Sequence, residues 1–195
     1  MGWRSNSENQ SLKTKTDLRE RILEQAALPE LRVLDLCAGS GDVWRNIGRR
    51  RPLAQYLPVD MKPQMPGTIK AKVNARFIAG FDIGRFNVVD VDTFGEPWEI
   101  WLALAPKLRG RTAVFLTHGY MTVGRCSLSN VARQAVGIPA EWPVPMKQEL
   151  AQYVGEWCLH HGATVAGARQ MERVRLEQKV TYYGMVCESP MKSGA

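Results

Sequence analysis

Two glycines directly after a short apolar run give this sequence the pattern of a ligand-binding turn. Residues 31–36 are typical of a buried β-strand, Gly39 and Gly41 follow at once, and a helical pattern begins at Val43. Glycines in such a turn let backbone N–H groups approach a ligand closely at the start of the helix. A dinucleotide-binding loop needs a third glycine at the position of Trp44, so the pattern disfavours NAD.

The same turn resembles motif I of the class I S-adenosylmethionine (SAM) methyltransferases. The resemblance rests on an acidic strand end followed by Cys-Ala-Gly-Ser-Gly, the Asp-Leu-(Phe/Cys)-Ala-Gly-Ser-Gly form that is common among enzymes acting on nucleic acids. It implies that SAM is the cofactor and that it binds beside Asp35, Cys37, Ala38, Gly39 and Gly41.

Two further positions are expected to contact the cofactor. Asp60 ends the second predicted strand, 21 positions after Gly39, where a carboxylate can accept hydrogen bonds from both ribose hydroxyls. The alternative is an aspartate that only shapes the next turn. After the third predicted strand, Asn74-Ala75 stands where the family has Asp-Ala, a pair that contacts adenine through the acid and the following backbone N–H. Asn74 keeps a carbonyl acceptor for this role, although it can equally cap the next helix.

The segment after the fourth predicted strand resembles the Asp-x-Asp-Pro-Phe-Gly-x-Pro segment, or motif IV, of the tRNA guanine-N2 dimethyltransferases. It runs from Asp90 to Pro97, and the overall resemblance covers residues 31 to 108. It implies that Asp92 accepts a proton or hydrogen bond from an exocyclic amine and that Phe94 stacks on the base. We expect Asp90 to contact the cofactor. If its side chain instead faces the sheet interior, it would support the loop. Thr93 stands where the family has a proline. The alternative to a catalytic segment is a simple turn that precedes a helix.

The elements that position these residues alternate between strands and short helices, which predicts a parallel sheet. We expect an α/β fold: a single Rossmann-like SAM methyltransferase domain at residues 16–195, with a mostly parallel seven-stranded sheet and a C-terminal antiparallel strand. Residues 1–15 are predicted to be a flexible polar tail. Residues 119–145 are predicted to form a substrate-side insertion. A helix from Pro97 should bury Trp98 and Trp101. The last helix is expected to end at Gly162, before strands at 163–169 and 179–187.

Net charge favours a polyanionic partner. The 195 residues carry a formal charge of +7 at pH 7, which favours association with nucleic acid. We assign substrate binding to Arg125, Arg133 and His118, near the expected substrate side. The basic cluster of Arg45 and residues 49–51 either binds phosphates or is a solvated helix end. Four scattered cysteines indicate no metal site. The sequence contains neither a membrane-spanning apolar run nor a signal peptide, so we expect a cytoplasmic location.

These observations lead to one functional expectation and its alternatives. We expect a SAM-dependent methyltransferase that acts on an amino nitrogen of a nucleic-acid base, with RNA favoured over DNA. The reaction is expected to need no metal, and a protein partner could supply target recognition. The alternatives are a small-molecule or protein methyltransferase, a non-catalytic SAM-fold binding subunit and, least favoured, an NAD-dependent oxidoreductase.

Overall fold

A computed structural model describes residues 6–93, 95–119, 128–139, 148–176 and 180–190, with the backbone alone for residues 6–10 and 148. The chain forms seven strands, which are β1 Leu31–Leu36, β2 Leu53–Asp60, β3 Ile69–Lys70, β4 Val88–Val91, β5 Gly110–Gly119, β6 Ala168–Leu176 and β7 Val180–Ser189. Its α-helices are α1 Asn6–Ala26, α2 Asp42–Gly48, α3 Ala75–Gly80, α4 Trp98–Leu104, α5 Asn130–Ala135 and α6 Gln148–Val165, with 3-10 turns at Ile83–Arg85 and Ala105–Lys107.

The strands form one sheet in the order β3-β2-β1-β4-β5-β7-β6. The first five strands pair in parallel, and β7 runs antiparallel between β5 and β6. This arrangement confirms the predicted α/β fold with a mostly parallel seven-stranded sheet. Because β1 lies between β2 and β4, the carboxyl ends of these three strands meet at one edge, which we call the β1 edge.

Two apolar layers cover the sheet. Residues of α1 and α2 pack with one face, and residues of α3, α4, α5 and α6 pack with the other. Trp98 and Trp101 are 1% and 0% exposed in the second layer, as the helical spacing predicts. Leu18 and Ile22 of α1 are fully buried in the first layer. The central strands β1, β4 and β5 are therefore largely buried on both faces, and a ligand can reach the sheet at the carboxyl ends of its strands.

The predicted N-terminal tail is wrong for residues 6–15, which belong to helix α1. The fully buried apolar residues of α1 begin only at Leu18, and polar contacts hold the turns before it. The Ser11 hydroxyl lies 2.7 Å from the Tyr182 hydroxyl, and the Lys15 ammonium binds Asp92. Hydrophobic periodicity carries no signal for contacts of this kind.

The end of helix α6 also differs from the sequence-based expectation. The helix continues past Gly162 to Val165, and β6 begins at Ala168. A Cβ atom on Gly162 would collide with the Trp101 indole, so this glycine allows close packing of α6 on α4 rather than ending the helix. The predicted insertion is partly regular, since β5 extends to Gly119 and α5 is a helix. Among the described residues, no helix is both long and apolar enough to cross a membrane.

Candidate active site

The turn after β1 has the backbone conformation that its glycines predict. Cys37, Gly39 and Gly41 have φ values of 66°, 53° and 67°, in the left-handed region. The N–H groups of Cys37 and Ala38 donate to the Val59 carbonyl at 2.8 and 3.1 Å, which ties the turn to the end of β2. A Cβ atom on Gly39 would meet nothing within 4 Å, so the turn is open at Gly39, whereas the Met65 side chain lies against Gly41. The turn is therefore a backbone cradle at the β1 edge.

Asp60 lies against this cradle. Its Oδ2 accepts a hydrogen bond from the Gly39 N–H at 2.9 Å, and its Oδ1 accepts one from the Lys62 N–H at 2.6 Å. Each oxygen keeps a further acceptor position, because a carboxylate has about four lone-pair sites. The half-buried carboxylate thus both orders the glycine turn and remains able to bind a pair of hydroxyls.

Asp35 lies below the turn rather than facing it. Its side chain is buried, and the Tyr56 hydroxyl donates to Asp35 Oδ2 at 2.7 Å. Burial, together with the nearby charge of Asp90, raises the pKa of Asp35 well above its usual value. This carboxyl lies inside the fold and binds Tyr56 of β2. Tyr56 is missing from the sequence-based site because a tyrosine in a strand carries no distinguishing signal.

Asp90 forms the most buried polar contact near the site. The Arg19 guanidinium donates to its two oxygens from Nε and Nη2, both at 2.7 Å, and the Trp44 indole N–H donates to Oδ2 at 2.8 Å. Arg19 and Asp90 are each 1% exposed. Asp90 therefore faces the interior of the protein, which is the alternative to a cofactor contact. The sequence analysis did not find its partners Arg19 and Trp44, since the partner residues are far apart in the chain.

Asp92 stands at the β1 edge, next to the glycine turn. Its backbone N–H donates to the Leu36 carbonyl at 3.1 Å, and the Lys15 ammonium contacts both carboxylate oxygens, at 2.8 Å from Oδ1. Burial acts to raise the pKa of Asp92, but Lys15 and Arg19 outweigh it, with help from the Thr117 hydroxyl, and the pKa is lowered. The side chain is an ionised carboxylate with a lysine as counterion.

Hydrogen bonds to β5 and α5 hold the turn that follows Asp92. The Thr93 hydroxyl donates to the Thr117 carbonyl at 3.0 Å, and the Gly119 N–H donates to the Gly95 carbonyl at 2.8 Å. Glu96 Oε1 accepts from the Ser129 N–H at 2.7 Å, and burial raises the pKa of Glu96. Thr93 thus anchors the turn by a hydrogen bond where the resembling family has a proline. Phe94 lies outside the described residues.

The Asn74-Ala75 pair is engaged in starting helix α3. Asn74 Oδ1 accepts from the Phe77 N–H at 2.9 Å, which is the capping alternative, and the Ala75 N–H donates to Glu99 Oε1 at 3.1 Å. An adenine at this place would have to share or replace these two contacts.

Of the residues expected to bind substrate, His118 and Arg133 lie in different surroundings. His118 is half-buried, with its ring edge-on to Trp98 at 5.0 Å between centroids. Arg133 is 2% exposed and donates to the Pro139 carbonyl at 2.8 Å, so its guanidinium belongs to the packing of α5. Arg125 lies outside the described residues. His118, at the end of β5, is the member of this set that the structure places near the turn after Asp92.

The basic cluster at the end of α2 is largely paired with acidic groups. Arg51 Nε lies 2.8 Å from Glu20 Oε2, and Arg50 lies 3.3 Å from the other oxygen of the same carboxylate. Arg45 pairs with Asp42 at 2.7 Å. These contacts favour the solvated helix-end interpretation over a phosphate site. Within the described part of the chain, no group of three His, Cys, Asp or Glu side chains is arranged to hold a metal ion.

Comparisons with known proteins establish the fold. No family model and no curated protein match the sequence. Among solved structures, the plantazolicin methyltransferase BamL, in complex with a triazolic desmethylPZN analog and SAH, has a TM-score of 0.56 at 12% identity and covers 95% of this chain and 87% of its own. The plantazolicin methyltransferase BpumL, in complex with a pentazolic desmethylPZN analog and SAH, has a TM-score of 0.54 at 11% identity, with coverage of 95% and 87%.

A candidate hemolysin from Streptococcus thermophilus has the same fold, with a TM-score of 0.54 at 14% identity and coverage of 92% of this chain and 68% of its own. The chain thus has the Rossmann-like fold of SAM-dependent methyltransferases. At identities this low the likeness concerns the fold. The resemblance of residues 90–97 to the tRNA guanine-N2 dimethyltransferases stays a prediction.

The Arg19–Asp90 pair yields a stability prediction. Asp90→Asn leaves the buried Arg19 charge uncompensated, and we expect unfolding in urea to show a loss of about 3–5 kcal/mol. Asp17→Asn is the matched control because it removes an exposed partner of Lys13, for which a change below about 0.5 kcal/mol is expected. Equal effects of the two substitutions would contradict the supporting role of Asp90.

His118 yields a prediction about pH. Burial disfavours the charged imidazole, and with the nearby Arg173 charge it lowers the pKa of His118 to about 4. Between pH 6.5 and 4 the unfolded chain binds a proton that the folded chain does not, so stability falls as the pH falls through this window. We expect the free energy of unfolding at pH 5 to be about 2 kcal/mol lower than at pH 7 from this residue. Urea unfolding of His118→Gln should lack that part of the difference, and an unchanged difference would refute it.

Proposed function

We propose that this protein is a SAM-dependent methyltransferase that transfers the methyl group to an amino nitrogen beside Asp92. The observation that carries the proposal is the meeting of three groups at the β1 edge. They are the glycine turn, the Asp60 carboxylate that hydrogen-bonds to it, and Asp92, whose backbone binds Leu36 at the start of the turn. The fold, shared with methyltransferases, is consistent with this assignment.

The residues at the β1 edge fit the cofactor. Asp60 would accept hydrogen bonds from the ribose hydroxyls at the acceptor positions that Gly39 and Lys62 leave open. The open space at Gly39 would admit the ligand close to the backbone. The bound cofactor supplies an electrophilic methyl group. The protein contributes alignment of the acceptor nitrogen and a carboxylate, Asp92, that binds the nitrogen's protons.

The charges of the chain leave two classes of acceptor. The net charge of +7 favours a nucleic acid, but Arg50 and Arg51, which would contact phosphates, are paired with Glu20. We therefore treat a base amine in RNA or DNA as one candidate acceptor and an amine of a small molecule or peptide as the other. A non-catalytic SAM-fold subunit would bind the cofactor without turnover, which separates it from both.

Asp60 provides the first test. Asp60→Ala removes charged hydrogen bonds, and we expect the affinity for SAM and for S-adenosylhomocysteine (SAH) to fall by about 2–3 kcal/mol, or roughly thirty- to hundredfold. Isothermal titration calorimetry measures both ligands. Asp82→Ala, an exposed aspartate without a side-chain cap hydrogen bond, should bind like the wild type. Equal affinity in Asp60→Ala and the wild type would remove Asp60 from the site.

Asp92 provides the test of turnover. With methyl-labelled SAM and a mixture of RNA, DNA, peptides and small amines, we expect label in one acceptor fraction, and the identity of that fraction names the acceptor class. Asp92→Asn removes the charge but keeps the shape, and single-turnover rates should drop by about 10²–10⁴ if the carboxylate takes part in proton transfer. Binding of SAH with no label in any fraction would instead favour the non-catalytic subunit.

A further inference from the structure

The Lys15 side chain places an ammonium group on Asp92. Its Nζ contacts both carboxylate oxygens, and the two side chains are 18% and 23% exposed. The same Nζ lies 5.6 Å from the centroid of the Tyr182 ring. The Lys15 amine is thus bound to Asp92, the carboxylate that would bind the acceptor nitrogen in the proposed function.

The surroundings of this contact suit a positively charged amine. An ionised carboxylate and the face of an aromatic ring both attract a cation. The Thr117 hydroxyl, on a residue 5% exposed, helps to lower the pKa of Asp92, yet it makes no hydrogen bond of standard geometry among the described residues. A neutral aromatic amine of a base would gain little from such a set. An alkylammonium group gains from each member.

When Lys15 leaves this place, the turns of helix α1 from Thr16 onward stay packed, and the earlier turns lose one of the contacts that hold them. Arg19, one turn later, remains bound to Asp90, and Leu18 and Ile22 remain buried in the core. Lysine has a long flexible side chain whose head can move to solvent. Since Arg19 binds Asp90 directly, the departure of Lys15 leaves Asp92 without a directly bound cation, which favours a replacement.

We propose that the Lys15 ammonium fills the position on Asp92 that the acceptor amine takes during the reaction. The acceptor is a primary alkylamine, which binds Asp92 in its ammonium form by displacing Lys15. The inference rests on the proposed function in taking Asp92 as the acceptor position. It narrows the acceptor to alkylamines of small molecules or peptides. A nucleobase amine becomes an outcome that would count against it.

Lys15 is the strongest influence that lowers the pKa of Asp92, and an ammonium in its place keeps Asp92 ionised in the same way. The incoming ammonium gives up one proton to solvent water, and Asp92 holds the remaining N–H groups by hydrogen bonds. The freed nitrogen lone pair forms the N–C bond to the methyl group of SAM, while the S–C bond breaks with its electron pair on sulfur and SAH leaves.

The test compares Lys15→Met with Lys13→Met, a matched control on the same helix whose ammonium binds the exposed Asp17. The probe is n-butylammonium chloride, followed through the Asp92 amide signal in NMR titrations, with n-butanol as the uncharged control. The Lys15 ammonium competes with butylammonium for Asp92, so removing it should raise the apparent affinity for butylammonium. We expect Lys15→Met to bind butylammonium about tenfold more tightly than the wild type and Lys13→Met, and adding Asp92→Asn to abolish the gain.

Equal affinities in the wild type and Lys15→Met, or a gain that survives Asp92→Asn, would overturn the proposal. In the wild type, the ¹⁵N signal of the Lys15 ammonium should shift when butylammonium saturates the site, which tests displacement even if Lys15→Met does not fold. A signal that stays in place at saturation refutes displacement. A parallel SAH titration distinguishes failure of the proposed function from failure of this inference. If SAH does not bind, the proposed function is wrong. If SAH binds but the butylammonium affinities are equal, only the inference about Lys15 is wrong.

Discussion

The buried ion pair between Arg19 and Asp90 is the contact on which the candidate site depends. Taking two charges out of water costs several kcal/mol for each ion, and only close, multiple hydrogen bonds offset that cost. Here two guanidinium contacts of 2.7 Å and the Trp44 N–H surround one carboxylate. The pair is bidentate and directional, and together with the buried Leu18 and Ile22 it fixes how helix α1 lies on the sheet.

The position of α1 then determines what lies at the β1 edge. Lys15 precedes Arg19 by four residues, a helical rise of about 6 Å, and Asp92 lies two residues after Asp90, just past the end of β4, about 6.6 Å along an extended chain. The two spacings match, so Lys15 meets Asp92 where Arg19 meets Asp90. One buried contact thus places a counterion on the residue that the proposed function makes central.

Sheet register explains why the acidic groups meet. Asp35 on β1 is paired with Asp90 on β4, so two carboxyls far apart in sequence become neighbours on one face. Arg19 is the counterion of Asp90, whereas Asp35 takes a tyrosine hydroxyl and a raised pKa. Parallel pairing also brings the Gly39 turn and Asp60 to the same edge, which is why their separation along the chain is a usable signal.

Local signals in the sequence predict the fold class, the strand-turn-helix at Gly39 and Gly41 and the burial of Trp98 and Trp101, because periodicity and turn glycines act within one segment. Only the folded structure shows the partners of Lys15, Arg19 and Tyr56, the interior orientation of Asp90, and the packing of Gly162 against Trp101. These features depend on which residues meet across helix and sheet. A hydrogen bond between residues 71 positions apart, such as Arg19 to Asp90, leaves no periodic or local trace in either segment.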